Sequence, residues 1–166
     1  NLPDLPNAKS LVICISYPLN FLELIYMKLN VRKEFKSVDL DLVIQICKKA
    51  SKAGILNVLI ISAVGANNSS LNYYLKIKGM MEDEVKAIGF SSVFFARPGH
   101  LLGPRDESRV DVFVWLIEFF GNLFSPFYVG IFRKFKNVPA QVVAQELLNS
   151  YESNKSTSDI IIHEQK

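Results

Sequence analysis

The sequence predicts an α/β fold, a doubly wound parallel sheet covered by helices, and three observations lead there. First, residues 11–16 (LVICIS), 57–62 (NVLIIS) and 92–96 (SVFFA) are short unbroken apolar runs rich in β-branched residues. Runs of that kind suit strands buried on both faces of a parallel sheet. Second, residues 34–53 place Phe35, Val38, Leu42, Ile46 and Ala50 three or four positions apart, and Gly54 follows where a helix C-cap belongs. Third, residues 71–88 repeat the helical spacing and end at Gly89. Strand, helix, strand, helix, strand in this rhythm implies right-handed βαβ units.

Past Arg97 the pattern changes. A loop rich in Gly and Pro (RPGHLLGPR) leads into an apolar, aromatic stretch over 110–135, then a helix over 139–151 with proline in its first turn, and a final strand over 159–163 (DIIIH). The aromatic stretch holds Trp115, Phe119, Phe120, Phe124, Phe127, Tyr128 and Phe132. Asp111, Glu118, Gly121 and Pro126 interrupt it too often for a membrane span of about 20 residues. A block so apolar leaves a membrane-surface or subunit contact open beside core packing.

Composition narrows the function. The 166 residues are 49% hydrophobic and 21% charged, the balance of a globular chain, and the net charge of +3 comes from scattered basic residues. No concentrated basic footprint exists, so nucleic acid is not an expected partner. Cys14 and Cys47 fall in apolar segments, as reduced core thiols do, which points to an intracellular compartment, cytoplasmic or mitochondrial. No His, Cys, Asp and Glu set has metal-ligand spacing, so no metal is expected. Residues 1–7 are polar and proline-rich rather than signal-like, and the first residue is not Met, the pattern of a processed or partial chain.

One constellation carries chemistry. Ser62 ends a predicted strand, and Tyr74 and Lys78 form a YxxxK spacing in the helix that follows. Positions i and i+4 share a helix face, so the ammonium approaches the phenol and is expected to lower its pKa toward neutrality. A serine at the strand tip would then hydrogen-bond the same substrate oxygen, an arrangement suited to moving a proton to or from an alcohol or carbonyl. Tyr73 is a competing tyrosine out of register with Lys78. Lys76, Lys78 and Lys86 together are also what a plain solvated helix face would present.

Taken in order, Val38-Asp39 followed by a helix, IISAVGANNSS, YLKIKGMMEDEVKAIGF, ARPGHLLGPRDESR and NVPAQVVAQELL resemble the Tat-interacting-protein family of atypical short-chain dehydrogenases/reductases and its fungal mitochondrial relatives, over roughly residues 36–165. The resemblance implies a Rossmann-like NAD(P)-binding domain of which residues 1–166 are the C-terminal portion, with 97–151 on the substrate side as a lid. It implies Ser62, Tyr74 and Lys78 as catalytic residues. It places Ser16 near the cofactor ribose, with Tyr74 and Lys78 also on the cofactor, and sets Pro98, Gly99, His100 and Leu101 against its nicotinamide end. The cofactor would be NAD or NADP, NADP being preferred, and the activity carbonyl/alcohol redox. His100 could touch substrate or be only a structural loop residue, and Arg105 and Arg109 could pair with the acidic residues between them or meet a cofactor phosphate.

Two features depart from that pattern. The glycine-rich turn that sets a pyrophosphate on a helix N-terminus does not occur in the sequence; the glycines at 99 and 103 follow the wrong strand. Residues 17–33 (YPLNFLELIYMKLNVRK) replace a short polar loop with apolar positions Leu22, Ile25, Tyr26 and Leu29 at helical spacing. The first strand read here would pair at the centre of a complete sheet, so a partner protein or preceding segment completing it is expected. Weak binding of dinucleotide by the isolated chain is the corollary. A noncatalytic, Rossmann-like accessory or scaffold subunit of a mitochondrial or membrane-associated assembly is the alternative function.

Overall fold

The computed structural model describes residues 5–6, 8–98, 100–102, 137–152 and 158–160. Four strands, β1 (Ser10–Ile13), β2 (Asn57–Ile61), β3 (Ser92–Ala96) and β6 (Ser158–Ile160), lie side by side in that order, all parallel. The register runs Val12 to Leu59 to Phe94 and ends with Ala96 beside Ile160. A two-stranded parallel pair, β4 (His100–Leu102) with β5 (Asn137–Pro139), stands apart.

Helices cover both faces, which makes the sheet doubly wound as expected. On one face, Val58, Ile60, Val93 and Phe95 pack against Val43, Ile44 and Cys47 of α3 (Val43–Lys52) and Ile77, Met81 and Val85 of α4 (Tyr73–Ile88). On the other, Leu59, Phe94 and Ala96 meet Val143 and Leu147 of α5 (Ala140–Glu152). Successive strand residues point to opposite faces, so a run such as VLII or VFF feeds two cores at once. Each buried aromatic, Phe35, Phe94 and Phe95, contributes roughly 1.5–3 kcal/mol through apolar burial.

The helix expected over 34–53 is longer and less regular. It comprises α2 (Leu29–Lys36), a π-helical stretch at Ser37–Leu42, and α3. The wider turn changes which face is buried. Phe35, Asp39, Val43 and Cys47, each four residues apart, turn inward with Leu40, Ile44 and Ala50, while Val38, Leu42 and Ile46 are only partly covered. A regular helix advances 3.6 residues per turn and would carry a four-residue ladder off the face; the π turn restores the alignment. Beyond it, α3 ends at Ala53 and Gly54 takes a φ of 80°, as a glycine past a helix end can. Helix α4 is capped by the Asn72 side chain, which accepts from the Leu75 N–H, and closes on Gly89 at φ 86°.

The first strand corrects an expectation. Residues 11–16 were expected to be buried on both faces, yet β1 stops at Ile13 and only Ile13 of the strand is buried. Val12 is 54% exposed, and Cys14, expected in a core, is exposed as well. The physical reason is position: among the described residues β1 pairs with β2 alone and has no neighbour on its other side. Residues 17–33 form α1 (Phe21–Ile25) and the start of α2 rather than one helix. Met27 is buried and Arg32 Nε donates to its carbonyl at 2.8 Å, which docks the segment, but Leu22, Ile25, Tyr26 and Leu29 are all exposed. No helix among the described residues is long and apolar enough to cross a membrane. The aromatic stretch over 110–135 and the strand end at 161–163 lie outside the described residues.

Candidate functional site

Each strand of a parallel sheet ends toward the N-terminus of the helix that follows, so loops with chemistry collect at the carboxyl ends of strands. Ser62 follows β2 directly. Its N–H donates to the Ala96 carbonyl at 2.7 Å, and Val64 N–H donates to the Pro98 carbonyl at 3.1 Å, tying the loop after β2 to the one after β3. Asn67 N–H then donates to the Leu75 carbonyl at 3.1 Å, which ties the same loop to the first turn of α4. Helix and loop meet so closely at Gly79 that a Cβ there would collide with the Asn67 and Asn68 backbone.

Helix α4 presents Tyr74, Lys78 and Glu82 four residues apart, and each meets a different partner. The Tyr74 ring packs on Phe35 with centroids 5.5 Å apart. Lys78, 3% exposed, places Nζ 2.7 Å from Asp39 Oδ1. Because Phe35 and Asp39 are also four apart, α4 and the helix carrying them run alongside each other as two rungs of a ladder. Glu82, 2% exposed, accepts the Ser62 hydroxyl at Oε1 at 2.5 Å and is clasped by Arg97 through Nε at 2.9 Å and through Nη2. Arg97 is the first residue after β3, so a strand-end serine and a strand-end arginine close on one carboxylate.

Asp39 is the most heavily used of these groups. Besides Lys78, Ser16 Oγ donates to its Oδ1 and Tyr17 N–H to its Oδ2, both at 2.7 Å. A carboxylate can accept at several lone pairs, and a buried one is tolerated only when they are filled. The segment after β1, the π turn and α4 are thereby joined through a single side chain.

The electrostatics run against one expectation. Burial and, after it, the negative charge of Asp39 push the Tyr74 phenol up to about 12. The sequence reading had Lys78 lowering this pKa; in the structure the Lys78 charge lies against Asp39, and desolvation decides the direction. The same effect pushes the Cys47 thiol to about 12, as befits an inert core cysteine.

The structure thus sets Ser62, Tyr74 and Lys78 on the β2 end and α4, and joins Ser16 to Lys78 through their shared acceptor Asp39. Pro98 is buried and linked to Val64. Gly99 lies outside the described residues; His100 and Leu101 sit in β4, with side chains outside what is described. Asp39, Glu82 and Arg97 carry no assigned role in the sequence alone. A signal for two of them was available: Glu82 continues the spacing of Tyr74 and Lys78, and Asp39 interrupts an otherwise apolar ladder. A hollow of about 440 Å³ lined by Lys48, Ser51, Lys52, Glu84, Ala87 and Ile88 lies at the other ends of α3 and α4, away from these groups.

In kind, the residues fit the ribose and nicotinamide end of a dinucleotide: a hydroxyl after β1, a buried ammonium, a phenol one turn before it and a hydroxyl after β2. Ser16 and Lys78 are donors of the type ribose hydroxyls accept from, although both presently donate to Asp39.

No family model matches the chain. It is 39% identical over 77 residues to "Protein FMP52, mitochondrial" of Debaryomyces hansenii, an alignment covering 46% of this chain and 34% of that protein. To the Saccharomyces cerevisiae protein of that name it is 33% identical over 101 residues, 61% of this chain and 41% of the relative. Among solved structures, the Bordetella bronchiseptica enzyme WbmG in complex with NAD is similar with 17% identity and a TM-score of 0.45, covering 58% of this chain and 33% of that one. A putative NAD-dependent epimerase/dehydratase from Bacillus halodurans is similar with 25% identity and a TM-score of 0.37, covering 45% and 37%. Fungal mitochondrial FMP52 proteins are thus among the homologues of the chain, which spans between about a third and two fifths of the length of these two relatives.

Proposed function

We propose that the chain is part of an NAD(P)-dependent oxidoreductase of the short-chain dehydrogenase type, acting on a small alcohol or carbonyl, with NADP preferred over NAD. The observation that carries the reading is the ladder on α4, which buries Lys78 one turn beyond Tyr74 at the end of the sheet where Ser62 leaves β2. The dinucleotide, when bound, supplies the hydride acceptor or donor. The chain's own residues do the rest: Tyr74 Oη exchanges the proton of the reacting oxygen, Lys78 provides positive charge beside the phenol and the ribose, and Ser62 Oγ steadies the substrate oxygen. Ser16 lies on the ribose side, and Pro98, Gly99, His100 and Leu101 line the nicotinamide side. Chain beyond these residues, preceding or supplied by a partner, completes the sheet next to β1 and holds the pyrophosphate. By the names of its relatives the protein works in mitochondria.

The test is turnover. In a preparation that oxidises or reduces a substrate with NADP or NAD, Tyr74→Phe should lower kcat by at least about a hundredfold, the scale of a general acid/base. An unchanged kcat sinks the reading.

A second reading, a noncatalytic scaffold or accessory subunit retaining the fold for docking, draws on two observations. The Lys78 charge is held by Asp39, and the Tyr74 phenol stands near 12 rather than near neutrality. On that reading Tyr74→Phe leaves biological activity intact in a cell that requires the protein.

A further inference from the structure

We infer that Asp39 is a positioning residue that governs whether the Lys78 charge acts on the Tyr74 phenol. The inference deepens the oxidoreductase reading, since it concerns the same phenol and ammonium.

Phe35 and Asp39 on one helix face Tyr74 and Lys78 on the other, so the first rung is an aromatic contact and the second an ion pair, one turn apart. The ion pair is dry: the Lys78 and Asp39 side chains are 4% and 0% exposed. A cation whose charge is matched at 2.7 Å exerts a dipole's field on a third group, and that falls off much faster than the field of a free charge. The Asp39 charge then counts as well, and it opposes phenolate.

Among the described residues, the other charged groups nearby are engaged elsewhere. Arg32 lies over the Tyr73 ring, 4.9 Å from its centroid, and Lys36 pairs with Asp41 at the surface. Glu82, one turn beyond Lys78, is clasped by Arg97. Phe35 adds only apolar surface. Among the described residues, Asp39 on the neighbouring helix and Lys78 on the same helix are therefore the charged pair that acts on the phenol beside the effect of burial.

The sequence and the π turn explain why a carboxylate can hold this place. Asp39 sits where an apolar residue would continue the series Phe35, Val43 and Cys47, and the widened turn directs it inward. Ser16 Oγ and the Tyr17 N–H occupy two further acceptor sites. A ligand hydroxyl that accepts from Lys78 would compete for the same ammonium.

The experiment is a titration of the chain without substrate or nucleotide, following tyrosine 13Cζ by NMR and assigning Tyr74 by its loss in Tyr74→Phe. Asp39→Asn should bring the Tyr74 midpoint down by about one pH unit or more, the scale of a nearby unopposed cation. Asp39→Glu, which keeps the anion, should titrate close to the parent. A folded Asp39→Asn variant with the parent's midpoint overturns the inference. If Asp39→Asn does not fold, the parent decides alone: the Lys78 15Nζ ammonium should be protected from exchange and show scalar coupling to Asp39 Cγ, and a freely exchanging ammonium overturns it. The readout is independent of catalysis. Loss of the oxidoreductase reading through Tyr74→Phe kinetics leaves it standing, and an unmoved midpoint leaves that reading standing.

Discussion

Residues 21–29 and the inner face of the helix that follows share one sequence signature and have opposite fates. Leu22, Ile25, Tyr26 and Leu29 have helical spacing and are between 62% and 80% exposed; Phe35, Val43 and Cys47 have it too and are at most 2% exposed. Periodicity states that a face exists, whereas burial needs something to stand opposite. For α3 that something is α4 and the strands; of residues 21–29, among those described, only Met27, past the end of α1, is in the core. The lesson extends to the two cysteines, one on each side of the same divide.

The largest test of this contrast is Phe35→Ala, which removes a fully buried ring and the surface on which Tyr74 packs. Urea unfolding should show a loss of about 3–5 kcal/mol. A loss below about 1 kcal/mol would mean that the inner face is no better packed than the outer one.

Alkali probes the same contact. The folded-state pKa of Tyr74 is raised, so its contribution is fully present below pH 10, the ordinary phenol value, and is lost as pH rises toward about 12. Tyr74→Phe should therefore flatten the fall in stability between pH 10 and pH 12 by up to about 2.5 kcal/mol, read from urea midpoints. Parallel curves for the two proteins would place the phenol in water.

Gly79→Ala sharpens the contrast at the loop after β2, where α4 leaves no room for a Cβ against the Asn67 and Asn68 backbone. A loss of about 1–3 kcal/mol is expected, as for overpacking, with helix propensity alone arguing for a gain. A more stable variant would show that the loop yields easily.

Thiol labelling gives a smaller but cleaner signal. Cys14 should react with a disulfide reagent at neutral pH, while Cys47, buried and pushed to about 12, should react only after unfolding. Equal rates would contradict the burial of α3. Smallest of all, Leu22→Ser and Leu29→Ser should each change stability by no more than about 0.5 kcal/mol, because no core depends on them.

By itself the sequence determined the order of strands and helices, the parallel class of the sheet and the helix that carries Tyr74 and Lys78. These follow from local patterns: apolar runs, helical spacing, and glycines at 54 and 89 where helices end. What it could not determine is which partner each polar side chain takes. Lys78 and Asp39 are 39 positions apart, and Ser62, Glu82 and Arg97 come from three different elements. Nor could it determine the inward turn of Asp39, because a π turn shifts the buried face by an amount no regular period encodes. The direction of the Tyr74 pKa was decided in the same way. A spacing of four brings a cation near a phenol, but only tertiary structure settles whether that cation is free to act and how much water remains around the ring.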